Sequence, residues 1–306
     1  MKLYTAAVYT NNYMPGMARY AKLNDHEREI AINVPHILES YHYVGKQKFV
    51  DSMRNNGAKI FVDSGAFSAF NLNTEINLKG YCDYILRNED IILKDDGILM
   101  ASVLDGIGDP LQTYRNQLDM AHYGVKALPC FHAGEDERYL EYYVANYDYI
   151  TLGGLVGSST KQLQHWLDRI WDKYLTDGAG RPKIKVHGFG ITSLTLVKRY
   201  PWHSCDASTW IQAAAFGAVH TPDYGLISVS DKSPTLHMDC NHLYNMSAVE
   251  TEYLIEMFAK QGFDHKRLST EYESRAIYNL WAFGEINDRI NAEFIDTFAG
   301  QVQELF

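Results

Sequence analysis

The chain has 306 residues, 46% of them hydrophobic and 22% charged, a balance that supports a sizeable globular core and excludes a disordered or fibrous chain. The formal net charge is −10, from 28 Lys+Arg against 38 Asp+Glu, which argues against a protein that coats nucleic acid non-specifically, because neutralised phosphates supply that kind of affinity. Cys82, Cys130, Cys205 and Cys240 are scattered without a C-x-x-C pair, which speaks against a disulfide framework, and no run of eighteen apolar residues or cleavable leader is present, so a cytoplasmic protein without a membrane partner is expected.

In chain order, β-rich runs fall at Leu3–Tyr9, Lys59–Val62, Leu99–Leu104, Lys126–Phe131, Tyr149–Leu152, Ile184–His187, Ser204–Cys205 and Gly225–Val229. Amphipathic helical runs lie between them, including Leu111–His122, Glu135–Asn146, Lys161–Tyr174 and Thr192–Arg199, with Thr160 and Thr192 as candidate N-caps. Eight strands alternating with helices fit an α/β fold of the closed (β/α)₈ TIM-barrel type. From about Pro234 the pattern turns helical: Leu254, Met257 and Phe258 share one face, and Ala276, Leu280, Phe283, Ile290, Phe294 and Phe298 mark a longer run. The expectation is a barrel over residues 1–235 and a C-terminal helical extension over 236–306 packed on it as one domain.

The strand ends are polar and glycine-rich: VDSGAF at 62–67, LDGIGDP at 104–110, CFHAG at 130–134, LGGLVGSS at 152–159, HGFG at 187–190 and CDAS at 205–208. Such positions crowd round one mouth of a barrel, so Asp63, Asp105 and Asp206 are expected to converge there as a functional cluster. The competing reading of each is a helix N-cap, a position that favours Asp. Gly153, Gly154 and Gly157 allow either close approach of a flat ligand to backbone groups or plain tight turns, and their spacing matches no nucleotide-cofactor motif. His187 either meets substrate or satisfies a backbone carbonyl, and Cys205 reads as a small buried apolar residue.

Taken in order across residues 59–215, these motifs resemble those of the tRNA-guanine transglycosylase superfamily. VDSGAF is similar to the family's DSGGF/Y-Q segment, LGGLVG to its GGLxVG loop and HGFG to its MGxG turn, while the Asp of SCDAS falls where the family has its nucleophile. The resemblance implies that Asp206 attacks C1′ of a nucleoside and forms a covalent glycosyl-enzyme, with Asp63 as general acid/base. It implies a substrate pocket of Ser64, Phe67 stacked on the base, Asp105 on the base edge, backbone groups of Gly153, Gly154 and Leu155, and His132 where the family has a Gln. A carboxylate nucleophile divides one difficult displacement into two easier ones, as in retaining glycosidases.

Where the tRNA enzymes carry the zinc-binding C-x-C-x-x-C and a later His, this chain has Cys240-x-His242-x-x-Asn245, with His237 and His265 as the other donors in principle. No metal and no cofactor is therefore expected. The shorter chain and the DSGAF variant resemble the virus-associated DNA-guanine transglycosylases, which implies DNA as partner, in a host cytoplasm, and a free 7-deazaguanine of the preQ0 type as incoming base. The alternatives are a tRNA-guanine transglycosylase, a non-catalytic nucleic-acid-binding homologue, and an unrelated barrel hydrolase with metal on Asp63, Asp105, His132 and His187.

Overall fold

The computed structural model describes residues 1–155, 159–191, 193–233, 236 and 241–303. Among the sequence expectations, Gly157, Thr192, Pro234, His237 and Cys240 lie outside the described residues, as do the side chains of Phe294 and Phe298. The chain divides into two compact units, Met1–Asn11 with His36–Ala207 and Asn12–Pro35 with Ser208–Phe306.

The strands in chain order are β1 (Lys2–Ala6), β2 (Ile37–Ser40), β3 (Ile60–Asp63), β4 (Lys94–Asp95), β5 (Ile98–Leu99), β6 (Cys130–His132), β7 (Tyr149–Gly153), β8 (Lys185–Gly188), β9 (Ser204–Ala207), β10 (Ala218–Thr221) and β11 (Gly225–Ser228). In the first unit, seven of them form one curled sheet in the order β3-β2-β1-β9-β8-β7-β6, parallel at every pairing. Their apolar, β-branched and aromatic residues form near-continuous buried runs, as suits a parallel sheet covered on both faces. One side chain from most staves meets in a common interior of Tyr4, Leu38, Phe61, Met100, Leu128 and Tyr149.

The expected ring of eight is corrected in three places. Among the described residues no ladder closes the sheet. Residues 100–103, part of the expected strand Leu99–Leu104, make single parallel bridges, Val62↔Ala101 on one side and Ser102↔Leu128 on the other. Their backbone is shared: Val62 N–H donates to Met100 O at 2.9 Å and Leu128 N–H to Ala101 O at 2.8 Å. Residues 98 and 99 are instead taken by the β4–β5 hairpin, whose Asp96 and Gly97 have φ of 50° and 81°, the left-handed pair that a tight hairpin turn needs. Gly225–Val229 does not join the sheet either; β11 pairs antiparallel with β10 in the second unit.

The third correction is a strand that the sequence hides. β2 lies between β1 and β3, yet its four residues include Glu39, which is fully buried. Glu39 is there because its carboxylate accepts from Tyr9 N–H at 2.5 Å and Thr10 Oγ1 at 2.8 Å, anchoring the segment after β1.

Helices Gln47–Asn55, Leu78–Arg87, Pro110–His122, Glu137–Asn146 and Thr160–Ile170 alternate with these strands. Ser159, not Thr160, caps the last of these: its Oγ accepts from Gln162 N–H at 3.3 Å, and Gln162 reaches back to Ser159 N–H at 3.1 Å. Beside the β10–β11 pair the second unit is mainly helical, with Ala248–Lys260 and Tyr272–Gln303 where the periodicity calls for helices. Two of its buried charged groups are satisfied within the unit. Arg275 donates to the carbonyls of Ala214 at 3.1 Å and Leu268 at 2.9 Å, and Arg267 pairs with the buried Glu27 at 2.8 Å. No helix among the described residues is long and apolar enough to cross a membrane.

Candidate active site

All three aspartates stand where parallel staves end. Asp63 is the last residue of β3, Asp206 lies one residue inside the end of β9, and Asp105 follows segment 100–103. None of them caps a helix. The N-cap positions that follow are Gly65, Asp109 and Ser208, so the capping alternative falls for this trio, and of these three N-cap residues Asp109 caps with its side chain, accepting from Gln112 N–H at 3.0 Å.

Asp63 Oδ2 accepts from Gly65 N–H at 2.9 Å, and Oδ1 lies 3.3 Å from Ser102 Oγ, which itself accepts from Ser64 N–H at 3.0 Å. Burial, with the Asp105 and Asp206 carboxylates adding to it against the Gly65 N–H, pushes Asp63 up to about 7. The turn that holds it tolerates one residue type. Gly65 has φ +80°, and a Cβ there would lie 2.4 Å from Ser40 Oγ and 2.5 Å from His42 Cβ. Gly65→Ala is therefore expected to cost about 2–4 kcal/mol, combining overpacking with left-handed strain. Urea melts of the variant and the parent check it, and coincident curves would show that the turn relaxes freely.

Asp206 is 7% exposed. Its Oδ1 accepts from Gly190 N–H at 2.9 Å and lies 3.3 Å from His187 Nε2. The other ring nitrogen of His187 is 2.6 Å from Ser204 Oγ, which is 2.6 Å from Tyr149 Oη. This relay runs Tyr149–Ser204–His187–Asp206, and the rings of Phe61 and Phe189 pack edge-on to the imidazole at 4.8 and 4.6 Å. His187 thus meets a carboxylate and a hydroxyl, not the backbone carbonyl that was one of its expected partners. Being fully buried, it reaches any substrate only through Asp206.

A second group surrounds His132. Its Nδ1 is 2.9 Å from Glu135 Oε1, and its Nε2 is 3.4 Å from Asp105 Oδ2 and 3.5 Å from Cys130 Sγ. Burial alone would push His132 down, but Cys130 and the carboxylates of Asp105 and Glu135 outweigh it and hold the imidazole above its ordinary value. Burial pushes the Cys130 thiol up to about 11. Asp105 Oδ1 is buried without a hydrogen-bond partner among the described residues.

Neither a protein-family model nor a curated protein matches this sequence.

The structure thus brings Asp63, Asp105 and Asp206 into one electrostatic neighbourhood, with His132 beside Asp105. Phe67 is 56% exposed, open to a stacking partner. Leu155 is buried, and the space beside Gly153 is filled by His132 and Cys130. Ser64 is also buried, its Oγ accepting from Ala66 N–H at 3.4 Å, so its hydroxyl serves the turn. The quartet Asp63, Asp105, His132 and His187 does not assemble as metal ligands; among the described residues the donors that do come together are Asp105, Cys130 and His132. His242 is engaged at both ring nitrogens, Nε2 at 3.0 Å from Ser230 O and Nδ1 accepting from Tyr244 N–H at 3.2 Å. Cys205 is fully buried, and burial with the neighbouring Asp206 keeps its thiol well above the ordinary value.

Sequence reasoning missed Ser102, Cys130, Glu135, Tyr149, Ser204 and Gly190. Cys130 and His132 carried a signal: two residues apart on one strand, they share a face.

Proposed function

We propose that the chain is a guanine transglycosylase that exchanges guanine in DNA for a 7-deazaguanine base of the preQ0 type. The observation that carries this is a pair of strand-end carboxyl groups in one neighbourhood: Asp206 receives the Gly190 N–H and faces His187, and Asp63, which receives the Gly65 N–H, is held near 7 by burial and its acidic neighbours. Double displacement at an anomeric carbon requires one carboxylate that attacks and a second carboxyl that gives and takes a proton. In the first half-reaction an Asp206 oxygen bonds to C1′ as the bond from C1′ to guanine breaks, and Asp63 delivers its proton to the departing base. In the second, the Asp63 carboxylate takes a proton from the incoming base, whose nitrogen bonds to C1′ and expels Asp206. A group that titrates near neutrality serves both directions. The His187–Ser204–Tyr149 relay fixes the carboxylate of Asp206 for attack.

The choice of guanine rests on the motif resemblance, and duplex substrates would have to present the nucleotide flipped out of the stack. DNA is preferred to tRNA because His242, in the stretch that corresponds to the zinc-binding segment of the tRNA enzymes, spends both nitrogens on its own chain. The fold reading that goes with this function is a complete eight-stave barrel in which 100–103 supplies the missing stave, supported by its bridges to Val62 and Leu128.

Incubation with radiolabelled guanine and duplex DNA, single-stranded DNA or tRNA is the test. Label entering DNA is the expected result. Label in tRNA alone would overturn the DNA assignment, and binding without label in any of the three would overturn the transferase reading.

A further inference from the structure

We infer that Asp105, Cys130 and His132 form a zinc-class divalent-metal site, with Glu135 as the outer partner that orients the imidazole. The distances argue for it. With metal bonds of about 2.3 Å to sulfur and about 2.0–2.1 Å to nitrogen or oxygen, a tetrahedron has an N-to-S edge of about 3.6 Å and an N-to-O edge of about 3.4 Å. His132 Nε2 lies 3.5 Å from Cys130 Sγ and 3.4 Å from Asp105 Oδ2. As hydrogen bonds the two contacts compete, because one ring nitrogen carries at most one proton, and the Asp105 contact is long, since a charge-assisted N–H···O bond closes to about 2.7–2.9 Å.

Three further features fit a metal. Glu135 Oε1 sits 2.9 Å from His132 Nδ1, the carboxylate–histidine arrangement that fixes tautomer and ring orientation in metal centres. Asp105 Oδ1 is buried and unpartnered among the described residues, leaving that carboxylate with spare acceptor capacity. Gly153 makes the room, since a Cβ there would lie 2.9 Å from His132 Nε2 and 3.1 Å from Cys130 Sγ. The donor set of one thiolate, one imidazole and one carboxylate suits zinc or cobalt over magnesium or calcium. Binding replaces the S–H bond of Cys130 with a metal–sulfur bond and releases that proton to solvent. Three protein donors leave a fourth position for water or an oxygen atom of a ligand.

This inference does not rest on base exchange. It revises the direct base-edge roles that the resemblance gives Asp105 and His132, which would instead present an ion. The test is metal content and a cobalt spectrum of the full chain after chelator treatment, reloading with Zn²⁺ or Co²⁺, and gel filtration. About one equivalent of Zn²⁺ or Co²⁺ per chain is expected, with a thiolate-to-cobalt charge-transfer band that Cys130→Ser removes and Cys240→Ser retains. Glu135→Gln should keep the band and weaken affinity roughly 10–100-fold, which separates loss of orientation from loss of folding. Failure to bind either ion, survival of the band in Cys130→Ser, or its loss in Cys240→Ser would overturn the site.

Discussion

If the proposed base exchange holds, replacing Asp206 with Asn is expected to lower it by on the order of 10⁴–10⁶-fold and to abolish covalent trapping on DNA, since removal of a nucleophile from a cooperating set has that scale of effect. The amide cannot attack C1′, yet its oxygen can still accept the Gly190 N–H that Asp206 receives at 2.9 Å. The imidazole of His187 keeps a polar neighbour, so the relay through Ser204 and Tyr149 has no reason to collapse. Chemistry should therefore disappear while the melting curve stays close to that of the parent. Denaturing electrophoresis of protein–DNA mixtures reports the covalent species, and label exchange reports turnover. An Asn variant that exchanges guanine at the parental rate would remove Asp206 as nucleophile.

Asp63→Asn is expected to lose exchange and at the same time to gain stability above neutral pH. The carboxyl of Asp63 titrates at about 7 in the folded chain, against an ordinary value of 3.8. The folded state therefore holds an extra proton between those values, so the contribution of this group is greatest below about pH 4, falls as pH rises, and is spent above about pH 7. At about 1.4 kcal/mol per unit, it costs the parent on the order of 2–3 kcal/mol between about pH 5 and pH 8. Asn is always neutral and can still accept from Gly65 N–H, so the variant should show a shallower decline. Denaturant midpoints at the two pH values measure this, and parallel declines in the two proteins would show that Asp63 ionises freely. A stabilising substitution at a residue needed for turnover is the usual signature of a site held under strain for function.

The strand ends were legible because the signal is local. Asp63 closes the short apolar run of β3, and a parallel strand that must stop at a polar mouth has that form wherever it occurs; Asp206 follows Cys205 within the short strand β9. β2 was not legible, because a buried Glu39 in four residues breaks the apolar pattern, and its donors Tyr9 and Thr10 lie some thirty residues away in sequence. Gly225–Val229 reads as a strand and its first four residues form β11, but aliphatic composition does not say whether a partner runs parallel or antiparallel; its partner was the β10 hairpin arm next door. The hairpin signal Asp96-Gly97 was present and explains why residues 98 and 99 leave the sheet. The relay to Asp206 depends on register, His187 lying opposite Ser204 across β8 and β9, which no single-strand pattern encodes.

The order of the staves has a kinetic side. β1 is flanked by β2 and β9, and its register with β9 sets Lys2 against Ser204. A chain emerging from the ribosome thus carries one edge of β1 uncovered until the roughly 200 residues that lead to β9 have been made, at about 5–20 residues per second. Loops of that span are slow to shut, and long-range parallel pairing ranks among the slowest folding topologies. Production of this protein should therefore be governed less by the depth of its native well than by how long that first edge stays shielded.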